Sequence, residues 1–145
     1  MTREQKGRFK DKHPQGTTVD SRIIPALRQI DENLAIRCES AHTVALTLGV
    51  PPKEVGTAID LEEGRIHKCQ LGLFGYSAKG KMVKAATNIA AEVQSAIEQA
   101  LDERRRLSCA ESWRLAEALA MPRLSIANAC EALGVKIVAC QLGAF

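Results

Sequence analysis

Residues Asp31–Phe74 recur as Asp102–Phe145, 71 positions later and without a gap. Identical pairs are Asp31/Asp102, Glu32/Glu103, Cys38/Cys109, Ala45/Ala116, Leu48/Leu119, Pro51/Pro122, Ala58/Ala129 and Ile66/Ile137. A shared phrase closes each copy, Cys69-Gln70-Leu71-Gly72-x-Phe74 and Cys140-Gln141-Leu142-Gly143-x-Phe145. Val44/Leu115, Val50/Met121 and Val55/Ile126 keep apolar character. The matched residues are of many types, so compositional bias does not produce the match. Two stretches that repeat in register are expected to fold as two copies of one small module.

Within the first copy Ala45 stands four residues before Gly49, and Val55 six after it, with Val44, Leu48 and Val50 around the turn. A small residue where two helices cross, a residue tolerant of positive φ in the turn and an apolar lock on the second helix form one pattern. It resembles the helix-turn-helix of DNA-binding modules, including winged-helix-like ones. Ala116, Ala120 and Ile126 repeat the spacing with Ala in the turn. The resemblance covers residues 36–64 and 107–135. It implies a mainly α fold of two tandem three-helix helix-turn-helix units, with a small two-stranded β patch open in each.

A chain of 145 residues, 46% apolar, fits one ordinary domain or two small ones. The repeat favours two, each near the lower size limit for folding alone. Only five aromatics are present (Phe9, Phe74, Tyr76, Trp113, Phe145), so the core must be built from Leu, Ile, Val and Ala. The net charge of +3 does not by itself argue for nucleic acid. No apolar run reaches membrane-spanning length, and the polar, basic N-terminus lacks the apolar stretch of a signal peptide. A cytoplasmic protein without a membrane partner is expected.

In chain order, residues 1–19 form a basic arm, mobile or extended, broken by Pro14 and Gly16. It reads as a phosphate-contacting tail or as a solvated terminus. The first unit spans 20–76. Asp20 or Ser21 caps a helix running to about Asn33, with Ile23, Leu27 and Ile30 inward. Helices over 39–48 and 52–62 follow, joined at Gly49. Residues 65–71 read as a strand pairing with Ile36–Cys38. A linker over 77–88 leads to the second unit, 89–145. There Thr87 or Asn88 caps a helix from about Ile89 to Arg104 along the stripe Ile89, Val93, Ile97, Leu101. The second helix pair falls at 110–119 and 123–133. A wing would need a further strand beyond Phe145, so the unit is either a three-helix unit with a strand pair or a winged helix with its wing trimmed.

With the third helix as a reader of the major groove, its outward side chains must reach base edges and phosphates. Lys53 and Thr57 in the first unit, and Arg123, Ser125 and Asn128 in the second, have suitable donors. Arg65 and the arm residues Arg8, Lys10 and Lys12 complete the DNA-binding set, with Lys79, Lys81, Lys84 and Arg104–Arg106 in support. Glu54, Asp60, Glu62 and Glu63 oppose it. The same motif can be a stable packing used only for protein contact. Two copies could act as a pseudo-dimer with reading helices about 34 Å apart. The expected partner is double-stranded DNA, and homodimerisation would lengthen the site.

Cys38/Cys69 and Cys109/Cys140 form two pairs of equal spacing, with Cys130 over. Paired strands would bring each pair together as a redox switch or a metal-sensing thiol set. Cysteine as a small apolar residue in a tight spot is the plainer account. No Cys-x-x-Cys occurs, and His42 and His67 have Trp113 and Val138 as repeat partners. No metal or other cofactor is expected. Walker, nucleophile-elbow and zincin motifs are all lacking. The repeated Asp-Glu pairs suit a turn better than catalysis, so a non-enzyme is expected. The function expected is a transcriptional regulator, with a protein–protein adaptor or a thiol- or metal-sensing regulator as alternatives.

Overall fold

The computed structural model describes residues 9–77 and 80–145. These residues are mainly helical. A 3-10 turn at Phe9–Lys12 precedes α1 (Ile23–Ile30), β1 (Ala35–Arg37), α2 (Cys38–Leu48), α3 (Pro52–Leu61) and β2 (Arg65–His67). Then follow α4 (Ala91–Ala100), β3 (Leu107–Ser108), α5 (Cys109–Ala118), α6 (Arg123–Leu133) and β4 (Ile137–Val138). Each strand pair is parallel, with Ala35, Ile36 and Arg37 opposite Arg65, Ile66 and His67, and Leu107 and Ser108 opposite Ile137 and Val138.

The sequence explains most helix ends. Gly49 and Gly134 close α2 and α6 in the left-handed region, at φ 68° in both. Pro51 and Pro122 precede α3 and α6, where a missing N–H costs nothing. Ser108 caps α5, its hydroxyl accepting the Glu111 N–H. Two expected caps are corrected. Asp20 does not cap α1; its carboxylate instead holds the N–H and guanidinium of Arg22, two residues on. Neither Thr87 nor Asn88 caps α4, whose N-cap is Ala90. That helix stops at Ala100 rather than Arg104, because Asp102 draws the N–H groups of Arg104 and Arg106 into a turn. Asp31 does the same for Asn33 and Ala35, which gives the repeated acidic pair its turn role.

The 71-residue offset is visible in the backbone. Positive φ recurs at Leu34 and Arg105, Gly49 and Ala120, Glu63 and Gly134, Lys68 and Ala139, and Gly72 and Gly143. Left-handed backbone costs about 1–2 kcal/mol at a residue with a side chain. Its recurrence at residues of different type therefore reflects the same local folding, not the same residue preference. At Lys68 and Ala139 it turns the chain after a short strand, so the strand expected over 65–71 ends at His67.

The chain divides into two compact units. One comprises the described residues through Lys68 together with Leu142–Ala144; the other comprises Cys69–Gln141 and Phe145. The packing boundary thus falls before the first shared phrase, not after Tyr76. The first unit buries Ile23, Leu27, Leu34, Ile36, Val55 and Ile59. The second has a core of Val93, Ile97, Leu107, Leu115, Ile126 and Cys130 that also contains Cys69 and Leu71 from the first copy's phrase. The expected linker is not free either: Val83 is part of this core, and Met82 and Val83 donate their N–H groups to Gly72 O.

The expected mobile arm is corrected over the residues described. Phe9–Lys12 packs against α3. Asp60, on α3 and buried, meets His13 Nε2 at 2.9 Å and Lys12 Nζ at 3.2 Å. Lys12 Nζ also donates to Gly143 O. A buried carboxylate needs such partners, since an unpaired one would pay the full desolvation cost.

Candidate nucleic-acid interface

The third helix of each unit is where a reader of base edges was expected, and in both units it is largely engaged. On α3, Val55, Gly56, Ala58, Ile59 and Asp60 are buried. Lys53 is exposed, whereas the Thr57 hydroxyl donates back to Lys53 O at 2.9 Å. Glu54 accepts the Asp20 N–H. The backbone of Leu142 lies directly on Gly56, so no side chain fits there.

On α6 the engagement is stronger. Asn128 accepts the Lys84 N–H through Oδ1 at 2.8 Å and the Ala86 N–H through its own carbonyl at 3.0 Å. Arg123 stacks its guanidinium 3.5 Å from the Trp113 ring centre and donates to Gln70 Oε1 at 3.3 Å. Ser125 is half-buried in the first turn, its N–H bonded to Pro122 O. Arg123 and Asn128, expected as outward donors of the third helix, thus have partners within the chain. Gln70 and Lys84, which bond them, come from segments distant in sequence, whereas Trp113 is on the preceding helix.

The glycine of each shared phrase takes the same place in the two units. A β-carbon on Gly143 would lie 3.8 Å from Lys53 Cγ, and one on Gly72 would lie 2.6 Å from Leu124 Cδ1. Lys53 and Leu124 are repeat equivalents. Each phrase therefore seats its glycine on the third helix of the other copy, an exchange with no signature in the residue pattern.

The remaining expected cations divide clearly. Lys12 is used by Asp60 and Gly143, and Lys10 is half-buried. Arg8 and Lys79 lie outside the described residues. Arg65 is exposed at the start of β2, and Arg37 at the end of β1 and Lys68 just after β2 are exposed as well. In the second unit Arg104, Arg105 and Lys136 stand exposed next to β3 and β4. Among the described residues the side chains of these six form no ion pair or hydrogen bond. Arg37, Lys68 and Lys136 were not among the expected cations. The strand register locates Arg37, opposite His67, while Lys68 and Lys136 directly follow and precede β2 and β4.

The cysteines group differently from the expected pairs. Cys38 belongs to the first unit, whereas Cys69, Cys109 and Cys140 belong to the second. Burial pushes the Cys109 thiol up; the Gln141 backbone and its amide, Nε2 3.5 Å from Sγ, oppose that, and the nearby Cys140 and Cys69 add to it. Burial alone pushes Cys130 up to about 11. None of the five cysteines is in a disulfide, and among the described residues no group of three or more His, Cys, Asp or Glu is arranged to hold a metal. Nor is any described helix long and apolar enough to cross a membrane.

Compared with known proteins, the chain matches no family model, no curated protein and no solved structure.

Proposed function

We propose that this chain is a double-stranded-DNA-binding regulator built from two tandem helix-turn-helix units. One observation carries the reading: the same two-helix corner occurs twice. Gly49 and Ala120 occupy the left-handed joint. Behind it, Val50 donates to Ala45 O at 3.0 Å and Met121 to Ala116 O at 2.9 Å. The small residues Ala45 and Ala116 are buried at the crossings, and Val55 and Ile126 lock the second helix with no exposed surface. The positive net charge and the unpaired arginines and lysines are consistent with a polyanionic partner.

The test is binding of the purified chain to labelled random duplex DNA across a salt series. Affinity falling steeply with salt reports phosphate contacts, at a slope of about 0.9 per phosphate. Absence of binding at low salt would sink the proposal.

A protein–protein adaptor is the second reading, favoured by the engagement of Arg123 and Asn128 inside the chain. Leu46, 85% exposed on α2, supports it as an apolar contact point. Co-purification of a stoichiometric protein partner, with no affinity for DNA, would select it.

A further inference from the structure

We infer that DNA is held through its phosphates by the basic edge of each strand pair: Arg37, Arg65 and Lys68 in one unit, and Arg104, Arg105 and Lys136 in the other. The inference rests on the DNA-binding reading and moves the contact away from the third helices.

The first argument is availability. A side chain already bonded within the protein must break that bond to reach a phosphate. Arg123 and Asn128 are so bonded, and Lys12 is committed to Asp60. The six edge cations are exposed and keep their full donor capacity. Arginine in particular presents a fork of donors that matches phosphate oxygens.

Placement is the second argument. On β1–β2 the inward residue is Ile36, fully buried, so Arg37 and Arg65 project from the opposite side. Arg65 pairs with Ala35 and Arg37 with His67, so the two cations stand diagonally, at opposite ends of the same three-residue ladder. His67 stands between Arg37 and Lys68, its Nε2 bonded to Ala35 O at 3.2 Å. In the second unit Lys136 is the repeat equivalent of Arg65, and both are exposed cations. The position keeps its charge in both copies while His67 gives way to Val138 and Lys68 to Ala139.

Local acids weaken the field less than their number suggests. Arg28 lies 3.6 Å from Glu62, and Arg106 lies 2.9 Å from Asp102. Glu32, Glu39, Glu63 and Glu103 are exposed nearby. The contacts are to backbone phosphates, which position a protein on DNA without reading its sequence. Binding is therefore expected to depend strongly on salt and only weakly on sequence.

The experiment compares three full-length variants with the parent on random duplex DNA across a salt series. Two carry the edge changes Arg37→Gln/Arg65→Gln/Lys68→Gln or Arg104→Gln/Arg105→Gln/Lys136→Gln. The third, Lys53→Gln/Lys81→Gln/Lys84→Gln, removes three exposed cations from other places, including the third helix. Circular dichroism checks that each is folded. Each edge variant is expected to flatten the log–log salt slope by about two to three, since each lost phosphate contact removes about 0.9. The third variant is expected to change the slope by less than about one. Equal losses in all three variants would overturn the inference, because net charge alone would then govern binding. Loss only in the third variant would overturn it as well, returning the contact to the helices while the DNA-binding reading stands. A parent chain that binds no DNA at low salt would bring down the DNA-binding reading and this inference together.

Discussion

The carbonyl of Leu142 occupies the place where a β-carbon on Gly56 would stand. These residues are 86 positions apart and belong to different copies of the repeat. Gly56 is therefore glycine for contact, not for conformation: its helix needs no special φ, but its bare Cα lets another backbone lie against it.

Gly56→Ala is expected to destabilise the protein by about 1–3 kcal/mol, because the blocking atoms are backbone and cannot rotate aside. Urea denaturation of the variant against the parent measures this. Thr57→Ala, one residue on and outside the contact, serves as the comparison and should cost less. An unchanged midpoint for Gly56→Ala would mean that Leu142 does not seat on α3.

The two helix joints make a paired prediction of opposite sign. Ala120 holds φ 53° where Gly49 holds 68°. Alanine pays for that conformation and glycine does not, so Ala120→Gly should stabilise and Gly49→Ala destabilise, each by about 1 kcal/mol. Thermal midpoints measured side by side should move in opposite directions.

Asp102 gives a pH-dependent prediction. Hydrogen bonds from the Arg106 and Arg104 backbones, with the Arg106 side chain, hold its carboxyl below the ordinary carboxylate value. A depressed value stabilises the fold above the ordinary carboxylate range and loses that contribution as pH falls through the folded value. Asp102→Asn should therefore be less stable than the parent at neutral pH. The difference should shrink on acidification, as read from denaturation midpoints at several pH values.

Cys130 acts in the opposite pH range. Its thiol, raised by burial to about 11, favours the folded state while neutral. That contribution is present below the ordinary thiol value and is lost as pH rises toward about 11. In native protein near neutrality Cys130 should resist iodoacetamide and react after unfolding in urea. Mass spectrometry of the alkylated peptides distinguishes the two. Fast native labelling at Cys130 would contradict its burial.

Local structure was legible where a local cause set it. The bounds of α6 follow from Pro122 and Gly134, and a strand after Gly64 follows from apolar alternation; its pairing with the residues near Ile36 was expected only from the winged-helix resemblance. The misplaced ends of α1 and α4 share a cause: Asp20 and Asp102 made turns that a propensity reading assigns to helix. What else meets the third helices was not legible for a different reason. Periodicity separates a helix's core side from its other side, but it does not say whether the other side meets water. Here Lys84, Ala86 and Gln70 meet α6, and Leu142 meets α3. Because the two phrases are nearly identical, no sequence signal could say which phrase would lie on which helix.

The seating of Leu142–Ala144 on the first unit also sets the order in which the chain can finish folding. Residues through Lys68 are synthesised first, yet the piece that covers Gly56 is made 74 residues later. At about 5–20 residues per second, α3 waits roughly 4–15 s with that face bare. During synthesis the first unit therefore stays incomplete until Leu142–Ala144 are made, and that interval is when a chaperone or a wrong partner has access to it.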